Sequence, residues 1–200
     1  MRVIGLTGGV GSGKTVAANI LQELLSAELL ITDNLGHIAM KKGSVGYIQI
    51  LDTFGEALKD ASGEINREQM AKIVFSDETK LQKLNAIIHP IVMAYVEEYI
   101  AKRKEKKGVI ILESAILFES GCDRLCEEIW YLFVPEETRK ARLKEGRGYS
   151  EDKSDAIMKK QMDVDSYRKK CQREIVNSGD VTMLRQGLQE AINACGMLGE

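Results

Sequence analysis

Apolar positions along the chain change period several times, and each change predicts an element. Val3-Ile4-Gly5-Leu6-Thr7 is a short apolar run of the kind that forms a buried strand, whereas Val16 to Leu25 places its apolar residues at helical spacing. Glu28-Leu29-Leu30-Ile31 predicts a second buried strand, parallel to the first across a right-handed crossover. Val109-Ile110-Ile111-Leu112 predicts a third and Glu128 to Val134 a fourth, ended by Pro135 at the start of a helix running to about Glu145. Glu174-Ile175-Val176-Asn177 reads as a last short strand before a closing helix from Val181 to Ala194. Strands alternating with helices predict an α/β fold with a parallel sheet.

Two segments interrupt that alternation. From Lys41 to Gly108 the period is helical: Tyr47-Ile48, Ile50-Leu51 and Phe54 form one stripe, Asn66-Arg67-Glu68-Gln69 offers a capping box, and Leu81, Leu84, Ile87 and Ile88 share a face. Pro90 is expected to break or kink this helix just after His89, with a further helix from Ile91 to about Lys106. A helical block over about residues 41–107 exceeds a simple crossover and predicts a lobe over a second substrate. The second segment, about residues 139–173, combines Arg139, Arg142 and Arg147 with a glycine-flanked hinge, Gly146-Arg147-Gly148-Tyr149. It has the character of a lid that closes to exclude water and bring positive charge to a phosphoryl group. The expected organisation is therefore a single domain over residues 1–200, with its core in 1–40 and 108–200.

Chemistry enters between the first strand and the first helix, at Gly8-Gly9-Val10-Gly11-Ser12-Gly13-Lys14-Thr15. Glycines at 8, 11 and 13 let the backbone curl with its N–H groups inward, and the helix that follows adds partial positive charge. Lys14 is spaced to reach the β- and γ-phosphates of ATP, and the Thr15 hydroxyl to ligate Mg²⁺. A flexible turn needs neither a lysine nor a hydroxyl at fixed offsets. This strand–loop–helix is a phosphate-binding P-loop, and the fold it predicts is the P-loop nucleoside-triphosphate hydrolase type.

Position suggests further candidates. Asp33 follows the second strand at the edge where ligands of parallel sheets sit, although it could equally cap the helix beginning at Leu35. Glu113 ends the third strand, where a carboxylate commonly assists Mg²⁺. His89 could touch the second substrate or serve only as a histidine before a proline kink.

Composition narrows the classes. The 200 residues suffice for one sizeable core, and 29% charged with 44% hydrophobic residues is ordinary for a globular enzyme. A net charge of −2 argues against broad nucleic-acid binding. No stretch approaches the roughly 18 apolar residues of a membrane span, so no membrane partner is expected, and a cytoplasmic location is. Cys122, Cys126, Cys171 and Cys195 lack metal-ligand spacing and are expected to be free thiols. A monomer or weak homo-oligomer is expected.

Taken together, the loop at Leu6–Thr15, Asp33, Leu84-Asn85-Ala86-Ile87-Ile88-His89-Pro90, Leu117-Phe118-Glu119-Ser120-Gly121 and Asn177-Ser178-Gly179 resemble the dephospho-CoA kinase family in order and spacing, over nearly the whole chain. The resemblance implies transfer of the γ-phosphoryl of ATP to the ribose 3′-hydroxyl of dephospho-CoA, the last step of coenzyme A synthesis. It implies Asp33 as the acid that orients and deprotonates the hydroxyl, with Lys14 and Arg142 acting on the phosphates. Nucleotide contacts are implied for Gly8, Gly9, Val10, Gly11, Ser12, Gly13, Lys14, Thr15, Val16, Arg142 and Asn177, and acceptor contacts for His89 and Glu119 beside Asp33. The family's Asp-x-Asp is Ile31-Thr32-Asp33 here, a family proline is Ala115, the lid-hinge arginine is displaced by one to Arg147, and an alanine-aspartate pair is Cys171-Gln172. The competing readings are a nucleotide or nucleoside kinase on the same scaffold, a weakly catalytic nucleotide-binding protein, and a GTP switch. The absence of an Asn-Lys-x-Asp sequence counts against the switch.

Overall fold

The strands and helices follow one another as β1 (Arg2–Thr7), α1 (Lys14–Leu25), β2 (Glu28–Ile31), α2 (Thr32–Ala39), α3 (Val45–Phe54), α4 (Arg67–Phe75), α5 (Glu78–Ala101), β3 (Val109–Glu113), β4 (Glu128–Phe133), α6 (Glu136–Arg147), α7 (Glu151–Met158), α8 (Val164–Lys170), β5 (Arg173–Val176) and α9 (Val181–Ala194). The structure, a computed structural model, describes residues 1–196. These residues divide into two units: Met1–Leu30, Glu105–Phe118 and Asp123 onward form the first, and Ile31–Lys104 with Glu119–Cys122 the second.

The first unit is built on a five-strand parallel sheet flanked by helices, in the order β2-β3-β1-β4-β5. β1 is central, and Ile4 stands level with Ile111 of β3 and Glu128 of β4. Side chains alternate between faces along each strand, which explains the core. Ile4, Leu6, Ile111, Trp130, Leu132 and Ile175 point to one face, where Ala17, Ala18 and Leu21 of α1 and Leu184, Leu188 and Ile192 of α9 cover them. On the other face Tyr131 stacks on Tyr167 of α8, with ring centroids 4.5 Å apart and planes 8° from parallel. With β1 in the middle of the sheet, the loop that leaves it is set on a strand paired on both sides.

The second unit packs its helices around Tyr47, Ile50, Leu51, Leu58, Ile65, Met70 and Val74. Its helix starts are capped as polar side chains dictate. Ser44 Oγ accepts from the Tyr47 N–H at 3.0 Å, Asn66 Oδ1 from Gln69 at 3.0 Å, and Asp77 Oδ1 from Thr79 at 2.9 Å.

Several boundaries differ from the sequence expectation. Pro90 lies inside α5, which runs unbroken from Glu78 to Ala101 where two helices were expected. A proline costs a helix one donor and a clash with one preceding carbonyl, and apolar residues on both sides of it hold the helix together. Gly146 and Arg147 belong to the last turn of α6, and only Gly148 turns the chain, with φ 64° at the C-cap. Gln172 has a ladder role: its N–H donates to the Ile129 carbonyl at 2.9 Å, and its Oε1 accepts from the Ile129 N–H at 2.7 Å.

Candidate active site

The nucleotide loop is shaped by what its glycines permit. Gly13 adopts φ 85° and ψ 25° as the N-cap of α1, a left-handed conformation that costs a side chain about 1–2 kcal/mol. At Gly9 a Cβ would overlap the Arg139 guanidinium, so the backbone is bare where that cation lies against it. The first turn of α1 contains no acidic residue, and the positive end of its dipole is left for an external anion.

Polar side chains are gathered around this loop. Lys14 is 9% exposed, and its ammonium donates to the carbonyls of Gly8 at 2.9 Å and Gly9 at 3.3 Å, which places the charge at the Gly8–Gly9 end of the loop. Asn177 Nδ2, buried, donates to the Ser12 carbonyl at 2.8 Å and fixes the far side. The hydroxyls of Thr7 and Ser12 are buried with no hydrogen-bond partner among the described residues. Orphaned hydroxyls at the base of an amide-lined loop suit a polar ligand. Thr15 is exposed, and its Oγ1 donates to Glu113 Oε2 across 3.5 Å, with Glu113 buried at the end of β3.

A cavity of about 340 Å³ adjoins the loop, lined by Gly13, Val16, Arg142, Asn177, Gly179, Asp180, Val181 and Leu184. It brings together four of the positions singled out in the sequence: Gly13 and Val16 at the start of α1, Arg142 of α6, and Asn177 just after β5. Its apolar wall and few polar groups are the mix expected where a base lies against protein.

A second group of candidates lies in the second unit. Asp33 sits in the first turn of α2 and is exposed, and its side chain makes no capping hydrogen bond, because the cap position falls on Ile31. Asp33 is thus not the N-cap of α2, and its carboxylate lies instead in the first turn, at the positive end of that helix. Gly36 of α2 packs against Ile88 of α5, one residue before His89. His89 is half-buried, and burial pushes its imidazole below its ordinary pKa. A hydrogen bond to the Glu119 backbone and the Glu119 carboxylate oppose this shift without cancelling it. His89 and Glu119 are therefore in contact, as the spacing of their two motifs alone could not reveal.

Two side chains at the loop were less legible. Arg139 stood among three lid arginines with nothing to select it, and its Nε is buried without a hydrogen-bond partner among the described residues. Gln161 Oε1 accepts from the Val10 N–H at 2.9 Å, across 151 residues of sequence. A glutamine in a charged helical stretch has no local signal for such a contact.

Comparison with known proteins decides the family. The dephospho-CoA kinase family model matches residues 2–182. The chain belongs to the dephospho-CoA kinase family. A dephospho-CoA kinase of Carboxydothermus hydrogenoformans is 36% identical over 186 residues, covering 92% of this chain and 89% of that protein. Among solved structures, a Thermus thermophilus protein superposes with a TM-score of 0.79 at 25% identity, over 96% of this chain and 97% of that one. A Campylobacter jejuni dephospho-CoA kinase superposes over the whole of both chains with a TM-score of 0.73 at 20% identity, which bears on the fold alone. In this kinase family the substrate that supplies the phosphoryl group is ATP.

Proposed function

We propose that this chain is the enzyme that transfers the γ-phosphoryl of ATP to the ribose 3′-hydroxyl of dephospho-CoA, giving coenzyme A and ADP. The observation that carries this reading is the family match over residues 2–182 on a chain whose Lys14 and Thr15 stand at an intact nucleotide loop.

The residues divide the work between the two substrates. Loop amides within residues 8–15, apart from the Val10 N–H that Gln161 occupies, hold the phosphate tail with the start of α1, and the Lys14 ammonium exchanges its carbonyl partners for the β- and γ-phosphates. Arg142 and Asn177 line the cavity for the base, and Arg142, whose Nη1 lies 3.9 Å from where a Cβ on Gly13 would stand, is a cation we assign to the phosphates. Thr15 and Glu113 offer a hydroxyl and a carboxylate, the hard oxygen donors that suit Mg²⁺, which when bound neutralises phosphate charge. In the second unit Asp33, free of any capping duty, is the base that accepts the proton of the 3′-hydroxyl, while His89 and Glu119 hold the acceptor. Transfer is largely dissociative, so positioning and charge neutralisation outweigh proton removal. We place this work in the cytoplasm.

A coupled assay of ADP release, with dephospho-CoA set against nucleoside monophosphates, tests the assignment. Turnover with dephospho-CoA is expected; turnover of the monophosphates alone would overturn it.

A further inference from the structure

The helices that follow β4 place two side chains on the nucleotide loop at one spot. Arg139 of α6 lies against Gly9 with its Nε buried and unpaired among the described residues, and Gln161, between α7 and α8, accepts the Val10 N–H at 2.9 Å. Both side chains line the same cavity of about 460 Å³ beside Tyr131. The location on the loop can be read from Lys14. Its ammonium bonds the Gly8 and Gly9 carbonyls, and since this lysine serves the β- and γ-phosphates, the Gly9–Val10 edge is the end of the loop nearest the terminal phosphoryl group.

We propose that Gln161 is a positioning residue for phosphoryl transfer: its carboxamide seats the segment between α7 and α8 on the Val10 amide, in register with the γ end of the nucleotide, and keeps Arg139 over Gly9. The inference rests on residues 8–15 being the nucleotide loop. The residue type fits the task. A side chain here must accept from a backbone N–H, which lysine and arginine cannot do, and must carry no negative charge beside a phosphate tail, which excludes aspartate and glutamate. Glutamine meets both conditions and has the reach. The neighbouring cation is tied to the same assembly, because Lys140 of α6, beside Arg139, pairs with Asp155 of α7 at 2.7 Å.

The test compares wild type, Gln161→Ala and Gln161→Glu as full-length proteins, by calorimetric titration with ATP and with ADP, by steady-state kinetics and by thermal melting. Gln161→Glu keeps an acceptor for Val10 but adds charge at the γ end, and is expected to weaken ATP binding at least tenfold more than ADP binding. Gln161→Ala is expected to lower kcat about tenfold or more, with KM for dephospho-CoA within twofold and an unchanged Tm. Wild-type kcat and an unchanged ratio of ATP to ADP affinity in both variants would overturn the proposal. So would equal weakening of both nucleotides together with a lowered Tm, the signature of a merely structural contact. Failure of the wild-type protein to bind ATP would overturn the nucleotide-loop reading itself, and this proposal with it; that outcome is distinct from variants that behave like a wild type that binds.

Discussion

In the proposed function Lys14 acts through charge, and its ammonium rests on two loop carbonyls, those of Gly8 and Gly9. Lys14→Ala should lower kcat by about 10²–10³, the usual loss when one preorganised donor to developing charge is removed, and steady-state assays of the purified variant check it. Asp33 offers a different test, because no helix cap depends on it. Asp33→Asn is expected to lower kcat by about 10²–10⁴ with ATP affinity nearly unchanged; equal kinetics would remove the base from the mechanism. His89 links site and stability. Its imidazole titrates below the ordinary 6.5, so the unfolded chain takes up that proton first as the solution is acidified. Stability from this group is complete above 6.5 and is lost as pH falls through the folded value. His89→Gln should flatten that loss, measured as the difference in urea midpoint from wild type at pH 7.5 and at pH 5.5. Local spacing was enough to single out Lys14 and Thr15 as candidates, whereas at Asp33 it left a ligand role and a helix cap equally open. It could not show Gln161 or the contact of His89 with Glu119, because no local pattern encodes a partner far along the chain.

At the level of elements, the agreement is closest where apolar runs are short and bounded. β2 and α9 have the expected limits, and β3 differs only by taking in Glu113. Errors fall where a local rule met a stronger packing demand. Pro90 was expected to break or kink the helix and a second helix to follow, yet α5 continues because apolar positions before it and buried Val92 and Val96 after it need one continuous face. The proline leaves the Ala86 carbonyl without its backbone donor and sits directly after His89. Pro90→Ala would restore the donor and improve helix propensity, by at most about 3 kcal/mol. The expected outcome is a higher Tm together with a higher KM for dephospho-CoA, since relaxing the helix redirects the imidazole. Melting curves and acceptor kinetics on the same preparation check both effects; a raised Tm with an unchanged KM would leave the proline without a part in placing His89.

On the scale of the whole molecule, the chain builds two cores, and the proposed function assigns the nucleotide to one and the acceptor to the other. The nucleotide loop grows from the sheet whose core includes Ile4, Trp130 and Leu132, whereas Asp33, His89 and Glu119 belong to the unit whose core includes Tyr47, Ile50 and Leu58. The division was partly legible in the sequence as a helical block between strands. Residues 119–122, which join the second unit from far along the chain, gave no sign of it, since a short motif after a strand has no period of its own. Ile50 is fully buried and lies away from every candidate site residue in sequence, so Ile50→Ala removes packing alone, at a cost of about 2–5 kcal/mol. If the two cores open separately, native-state hydrogen exchange will show faster exchange across α3, α4 and α5 and unchanged protection in α1 and α9. ATP affinity should then stay at the wild-type level while KM for dephospho-CoA rises. Uniformly faster exchange in both units would instead mean that the two cores unfold as one.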